Sequence, residues 1–164
     1  MKSLPRPVLI GLLGLTLLCA AASQTGRITP ADRKRLMAST LRVSTKTTEI
    51  PEEVRKAFAA LVHQPAFKMA EPTQPFQVGD AIEPGPPLPG RRLIFAAFDD
   101  GLCVIHYERG GIAHVYEIMT FTLSKGAPPE LAWSALSQGK LPDLEALRKA
   151  VAEDKIRPGE ERYW

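Results

Sequence analysis

The run Arg91-Arg92-Leu93-Ile94-Phe95-Ala96-Ala97-Phe98 turns at Asp99-Asp100-Gly101 and continues as Leu102-Cys103-Val104-Ile105-His106-Tyr107-Glu108. A second corner, Arg109-Gly110-Gly111, leads into Ile112-Ala113-His114-Val115-Tyr116-Glu117-Ile118-Met119-Thr120-Phe121. Three runs rich in β-branched and aromatic residues, joined by short corners that contain glycine, predict an antiparallel meander.

Two registers compete at the second corner. A two-residue Gly110-Gly111 turn sets Tyr107 across from His114 and Val104 across from Glu117, which mixes polar and apolar side chains on both faces. A three-residue Arg109-Gly110-Gly111 loop instead pairs Glu108 with Ile112 and His106 with His114. One face then carries Cys103, Ile105, Tyr107, Ala113, Val115, Met119, Phe121 and Leu123, with Glu117 as its only charge. The other carries Val104, His106, Glu108, His114, Tyr116 and Thr120. A one-residue slip would exchange the faces of a strand, so the sorted register is the expected one. The same loop at Asp99-Asp100-Gly101 adds Leu93 and Phe95 to the apolar face, sets Ile94 beside His106, and sets Arg92 beside Glu108. The expectation is a polar cluster of Arg92, His106, Glu108 and His114, with Tyr116 on the same face.

The 164 residues, 45% hydrophobic and 24% charged, have the composition of a globular chain. Residues 1–22 read differently. Lys2 and Arg6 precede the apolar run Val8 to Leu18, and Ala20-Ala21-Ala22 offers a small-residue cleavage site. This is the pattern of a cleaved secretory signal, and the run is short for a permanent membrane anchor, which needs roughly 20 apolar residues. Lipid modification at Cys19 is the alternative, but Leu18 replaces the small residue such signals place before the cysteine. The expected location is therefore periplasmic or extracellular. Loss of Lys2 and Arg6 from the 21 basic residues leaves 19 against 18 acidic ones, a net charge of +1. The signs are interleaved along the chain, so the composition argues against nucleic acid as a partner. With Cys19 removed, Cys103 is the only thiol and is expected to be buried and unreactive.

Thr29-Pro30-Ala31-Asp32 predicts a helix start, and Pro51-Glu52-Glu53 a second, with Val54, Phe58, Leu61 and Val62 at helical spacing. Leu41 to Thr48 reads as either strand or connector. Six prolines between Glu71 and Gly90 predict an extended strap over the domain, since its Phe76, Val78 and Ile82 are too apolar for a plain linker. Ser124 to Pro129 reads as a loop, Leu131 to Leu136 as a fourth strand, and Pro142 to about Lys155 as a third helix burying Leu144, Leu147 and Val151. The expected architecture is α+β: a four-stranded antiparallel meander packed on one face by two N-terminal helices and one C-terminal helix. The domain spans residues 23–156, includes the strap at 71–90, and leaves 157–164 as a frayed tail.

No motif here dictates a reaction. His106, Glu108 and His114 form a candidate zinc set, three ligands with an open position, but lack His-Glu-x-x-His or paired-cysteine spacing. His106 as a general base with Glu108 or Glu117 is the acid/base variant, and the competing reading makes Glu108 an ion-pair partner of Arg92. Ser134 lies outside any nucleophile-elbow context. Tyr107, Tyr116 and Trp133 could form an aromatic platform or part of the core. The sequence therefore favours a small exported binding module that takes a protein or small-molecule ligand on Arg92, His106, Glu108, His114 and Tyr116, without a cofactor. A zinc-dependent or acid/base hydrolase using the same face is the alternative.

Overall fold

The computed structural model describes residues 27–80 and 85–159. The expected leader at 1–22 with Cys19, Ile82 of the strap, and the last residues of the expected tail lie outside them. Among the described residues the fold is α+β, with one six-stranded antiparallel sheet and three α-helices. The strands are β1 (Arg42–Ser44), β2 (Arg91–Phe98), β3 (Leu102–Arg109), β4 (Val115–Ser124), β5 (Ala127–Ser137) and β6 (Ile156–Pro158), and their order in the sheet is their order in the chain. The helices are α1 (Pro30–Ala38), α2 (Glu52–Leu61) and α3 (Leu144–Ala152).

Two strands beyond the expected four come from short edge segments that carry no alternating pattern. β1 pairs Arg42, Val43 and Ser44 with Phe98, Ala97 and Ala96. β6 pairs Ile156 with Ser137 and Pro158 with Ala135, so the expected frayed tail begins inside an edge strand. The expected loop at Ser124 to Pro129 is also strand. Lys125 and Gly126 alone make the turn, Ser124 faces Ala127, and Gly126 takes the positive φ of 78° that a side chain resists. Pro128 and Pro129 are tolerated there because β6 covers only the far end of β5, leaving their edge unpaired.

Both sheet faces are buried, which corrects the expectation of helices on one face. On one side, Val54 and Phe58 of α2 pack with Leu93, Ile105, Tyr107, Met119 and Phe121. On the other, Leu36 of α1 and Leu144, Leu147 and Val151 of α3 pack with Ile94, Phe95, Val104, Ile118 and Trp133. Each large side chain so buried contributes roughly 1.5 to 3 kcal/mol, which explains why the second face attracts helices of its own. Cys103 is fully buried, and burial, with the nearby Asp99 charge, pushes its thiol up to about 12.

The registers differ from expectation in ways that preserve most of the face assignment. The corner between β3 and β4 spans Gly110 to His114, so His106 faces Ile118 and Glu108 faces Tyr116. That is a slip of four residues, and an even slip leaves every side chain on its face. Between β2 and β3 the corner is tighter: Asp99 N–H donates to Leu102 O at 3.0 Å, and Asp99 Oδ1 accepts from Gly101 N at 2.8 Å. A bulge at Ile94 takes up the residue this removes, so Arg92 still faces Glu108 while Phe95 faces His106. Phe95 thereby joins the α1/α3 side instead of the α2 side.

Helix ends follow local chemistry. Thr29 and Asp32 form a reciprocal capping box on α1, and Asp143 Oδ1 accepts from Ala146 N at 2.8 Å to cap α3. α2 ends with His63 N–H donating to Ala60 O and Gln64 N–H to Ala59 O, which places His63 in the left-handed region at φ 54°.

Candidate functional site

The strap meets the sheet at the corner between β3 and β4. Ala70 bridges β2 in parallel, with Ala70 N donating to Arg91 O and Leu93 N to Ala70 O, both at 2.9 Å. Farther on, Gly110 N donates to Gly90 O at 3.0 Å and Gly111 N to Val78 O at 3.1 Å. A Cβ on Gly110 would lie 1.8 Å from Gln77 O, so only glycine lets the strap backbone come this close. This docking buries Phe76 beside the polar end of the sheet.

Glu108 is the centre of that end. Its side chain is 4% exposed, with Oε1 accepting from Arg92 Nε and Nη2 at 2.8 Å and Oε2 accepting from His114 Nε2 at 2.9 Å. Burial works to raise the Glu108 carboxyl, but hydrogen bonds and charge from Arg92 and His114 outweigh it and hold the group below its ordinary value. Because an ionised carboxylate only accepts, His114 Nε2 carries a proton. The Arg92 guanidinium lies 4.4 Å from the centre of the Phe76 ring, a cation–π contact. His114 sits between Phe76 at 5.9 Å and Tyr116 at 5.1 Å, centroid to centroid.

Arg92, Glu108, His114 and Tyr116 therefore come together, with Phe76 added by the strap. His106 does not join them. It is fully buried, its Nδ1 is 2.9 Å from Glu117 O, and its Nε2 accepts from Leu141 N at 3.2 Å. Both ring nitrogens thus bond main chain, and the Phe95 ring stands edge-on at 5.5 Å. Burial drives its pKa down to about 4, against the Glu117 carbonyl and the Glu108 charge, so the ring is neutral. The expected facing of His106 and His114 fails because His114 lies in the wider corner, before β4 begins. Among the described residues no group of three or more His, Cys, Asp or Glu side chains is placed to hold a metal ion.

Glu117 belongs to the opposite face. Its Oε1 accepts from Arg109 Nε at 2.9 Å and Nη2 at 2.8 Å, and its charge, after burial, helps hold the Tyr107 phenol well above its usual range. Trp133 and Tyr107 are buried in separate cores, with Tyr116 packed at the margin of the Trp133 core, so the three share no platform. Ser134 is buried as well.

Beside the Glu108 cluster opens a cleft of about 350 Å³. His114, Val115 and Tyr116 form one wall, and Leu136, Ser137, Gln138 and Arg157 the other. The second wall was not legible in the sequence, because it depends on β6 pairing with the end of β5. Phe76 had a signal, its apolar character inside a proline-rich strap. No known family model matches this chain, and no curated protein or solved structure resembles it closely enough to carry an assignment. No helix among the described residues is long and apolar enough to cross a membrane.

Proposed function

We propose that this chain is a small binding protein, not a catalyst, that receives a ligand or a partner's side chain in the cleft between His114–Tyr116 and Leu136–Gln138. The observation that carries the reading is Glu108, a buried carboxylate whose two oxygens fix Arg92 and His114 while the imidazole edge remains on the cleft wall. A polar group locked from behind by an ion pair and presented on strand ends is a preorganised contact, which lowers the cost of ordering on binding. The volume is at the small end of ligand sites.

The hydrolase alternative has less support. Its proposed base, His106, bonds backbone on both sides, and Ser137, the hydroxyl on the cleft wall, donates to Gly139 O at 2.8 Å, while His114 across the cleft is engaged by Glu108. We propose further that the protein acts outside the cytoplasm, on the strength of the leader at residues 1–22; the N-terminal residue of protein recovered from the source cell checks this.

A fragment library screened by amide chemical shifts tests the binding reading. Shifts clustering at Val115, Tyr116 and Leu136–Gln138, and lost in His114→Ala with the rest of the spectrum intact, are the expected result. Hits that map elsewhere, or that His114→Ala leaves unchanged, overturn it.

A further inference from the structure

The charges around this cleft do not balance. Glu108 is committed to Arg92 and His114, and among the described residues no carboxylate lines the cleft. A second cleft of about 190 Å³ adjoins it, lined in part by Arg27, Arg33, Asp154 and Arg157, and there Asp154 is committed to Arg33. Arg157 borders both spaces. Neither Arg157 nor Arg27 has an ion pair or side-chain hydrogen bond to a described residue.

We infer that the cleft takes a carboxylate, whose head group is read by Arg157 and whose apolar body lies against Val115 and Leu136. The inference rests on the binding reading above and names its ligand class. Arg157 is placed by strand pairing, opposite Leu136 in the ladder between β5 and β6, which fixes its backbone at the cleft rim and sets its side chain on the Leu136 face of the sheet. A guanidinium presents a planar fork of donors that matches the two oxygens of a carboxylate. Tyr116 and Gln138 line the opposing walls and carry a phenol and an amide, neutral groups able to donate to a second oxygen. His114 adds no negative charge, since Glu108 behind it is already neutralised by Arg92. With a cation, two neutral donors, two aliphatic side chains and no acid among the described residues, the lining favours an anion over a cation and an acid with a hydrocarbon portion over a bare ion.

A free small acid and the C-terminal carboxylate of a peptide share this chemistry. The test titrates the full-length protein with hexanoate, with hexanamide as the isosteric neutral probe, and with one short aliphatic peptide bearing either a free or an amidated C-terminus. Amide shifts at Val115, Tyr116 and Leu136–Gln138 report binding. The expected result is that at least one acid binds there about tenfold more tightly than its amide, and that Arg157→Gln removes the difference while preserving the dispersed spectrum. Tyr116→Phe is expected to weaken the acid by a smaller factor. Preference for hexanoate assigns the site to small acids, and binding of the free-terminus peptide alone assigns it to chain ends. If acid and amide bind the cleft equally, or Arg157→Gln leaves the preference intact, the carboxylate assignment is overturned while the cleft remains a binding site. If both acids bind only elsewhere, the assignment also falls, and fragment hits in the cleft then decide whether the broader reading survives.

Discussion

Arg92 and Glu108 face each other across β2 and β3 at 2.8 Å even though the corner joining those strands is one residue shorter than their pairing requires. The Ile94 bulge reconciles the two. It holds Arg92 on the Glu108 side while turning Phe95 toward α1 and α3.

That pair is buried on one side only, with Glu108 at 4% and Arg92 at 28% side-chain exposure. Glu108→Gln therefore keeps one acceptor oxygen but sets an amide N–H against the other donor and leaves Arg92 without its counter-charge, and is expected to cost about 2 kcal/mol. The double variant Arg92→Met, Glu108→Leu should cost less than the single one, because no uncompensated charge remains. Urea midpoints of the three proteins check this; a double variant worse than Glu108→Gln contradicts it. The Glu108 carboxyl is held low, so its contribution is in place above the ordinary carboxylate range and is lost as pH falls from that range through the lower value of the folded state.

His106 gives a second pH dependence in a higher window. Its ordinary value of 6.5 falls to about 4 in the folded chain, so acid protonates the unfolded form first. Stability is fully present above 6.5 and is lost as pH falls toward about 4, by about 3 kcal/mol at roughly 1.4 kcal/mol per pH unit. Urea unfolding across this window should slope in the native chain and flatten in His106→Gln. An unchanged slope in the variant would assign the effect to another group.

Gly110 is where strap and sheet touch backbone to backbone. Gly110→Ala is expected to displace the strap and cost about 2 kcal/mol or more. Gly111→Ala, strained by its φ of 116° but with nothing within 4 Å of an added Cβ, should cost only about 1 kcal/mol. Limited proteolysis of residues 71–80 distinguishes them: faster cutting is expected in Gly110→Ala, and equal rates in both variants would mean the corner does not hold the strap.

His63 occupies a left-handed position for which glycine is the usual choice. His63→Gly is expected to raise stability by about 1 kcal/mol, seen as a higher melting temperature. A lower one would show that the imidazole makes a contribution larger than the strain.

The α+β class, the meander and the faces of β3 and β4 were legible because alternation survives any even slip, and the corner between those strands slipped by four. What alternation cannot encode is a bulge, a wider corner or a three-residue edge strand. Ile94, His114 and Ile156–Pro158 are the places where the reading failed. His106 looked like a site residue because a sequence shows an imidazole but not the Glu117 carbonyl and Leu141 amide that engage it. Arg157 looked like tail because nothing local announces β6. The helices on the second face had a signal in Ile94, Phe95, Val104 and Ile118, too apolar a set to face water.

The account separates two histidines, one that holds the sheet and one that presents a cleft, and their tautomers test this directly. His106 donates from Nδ1 to Glu117 O and accepts at Nε2, whereas His114 donates from Nε2 to Glu108. Long-range nitrogen–proton correlation of the imidazoles at about pH 8, where unperturbed rings are neutral, should show opposite patterns: His106 protonated at Nδ1 and His114 at Nε2. A spectrum in which both rings carry their proton on the same nitrogen would contradict the separation of roles.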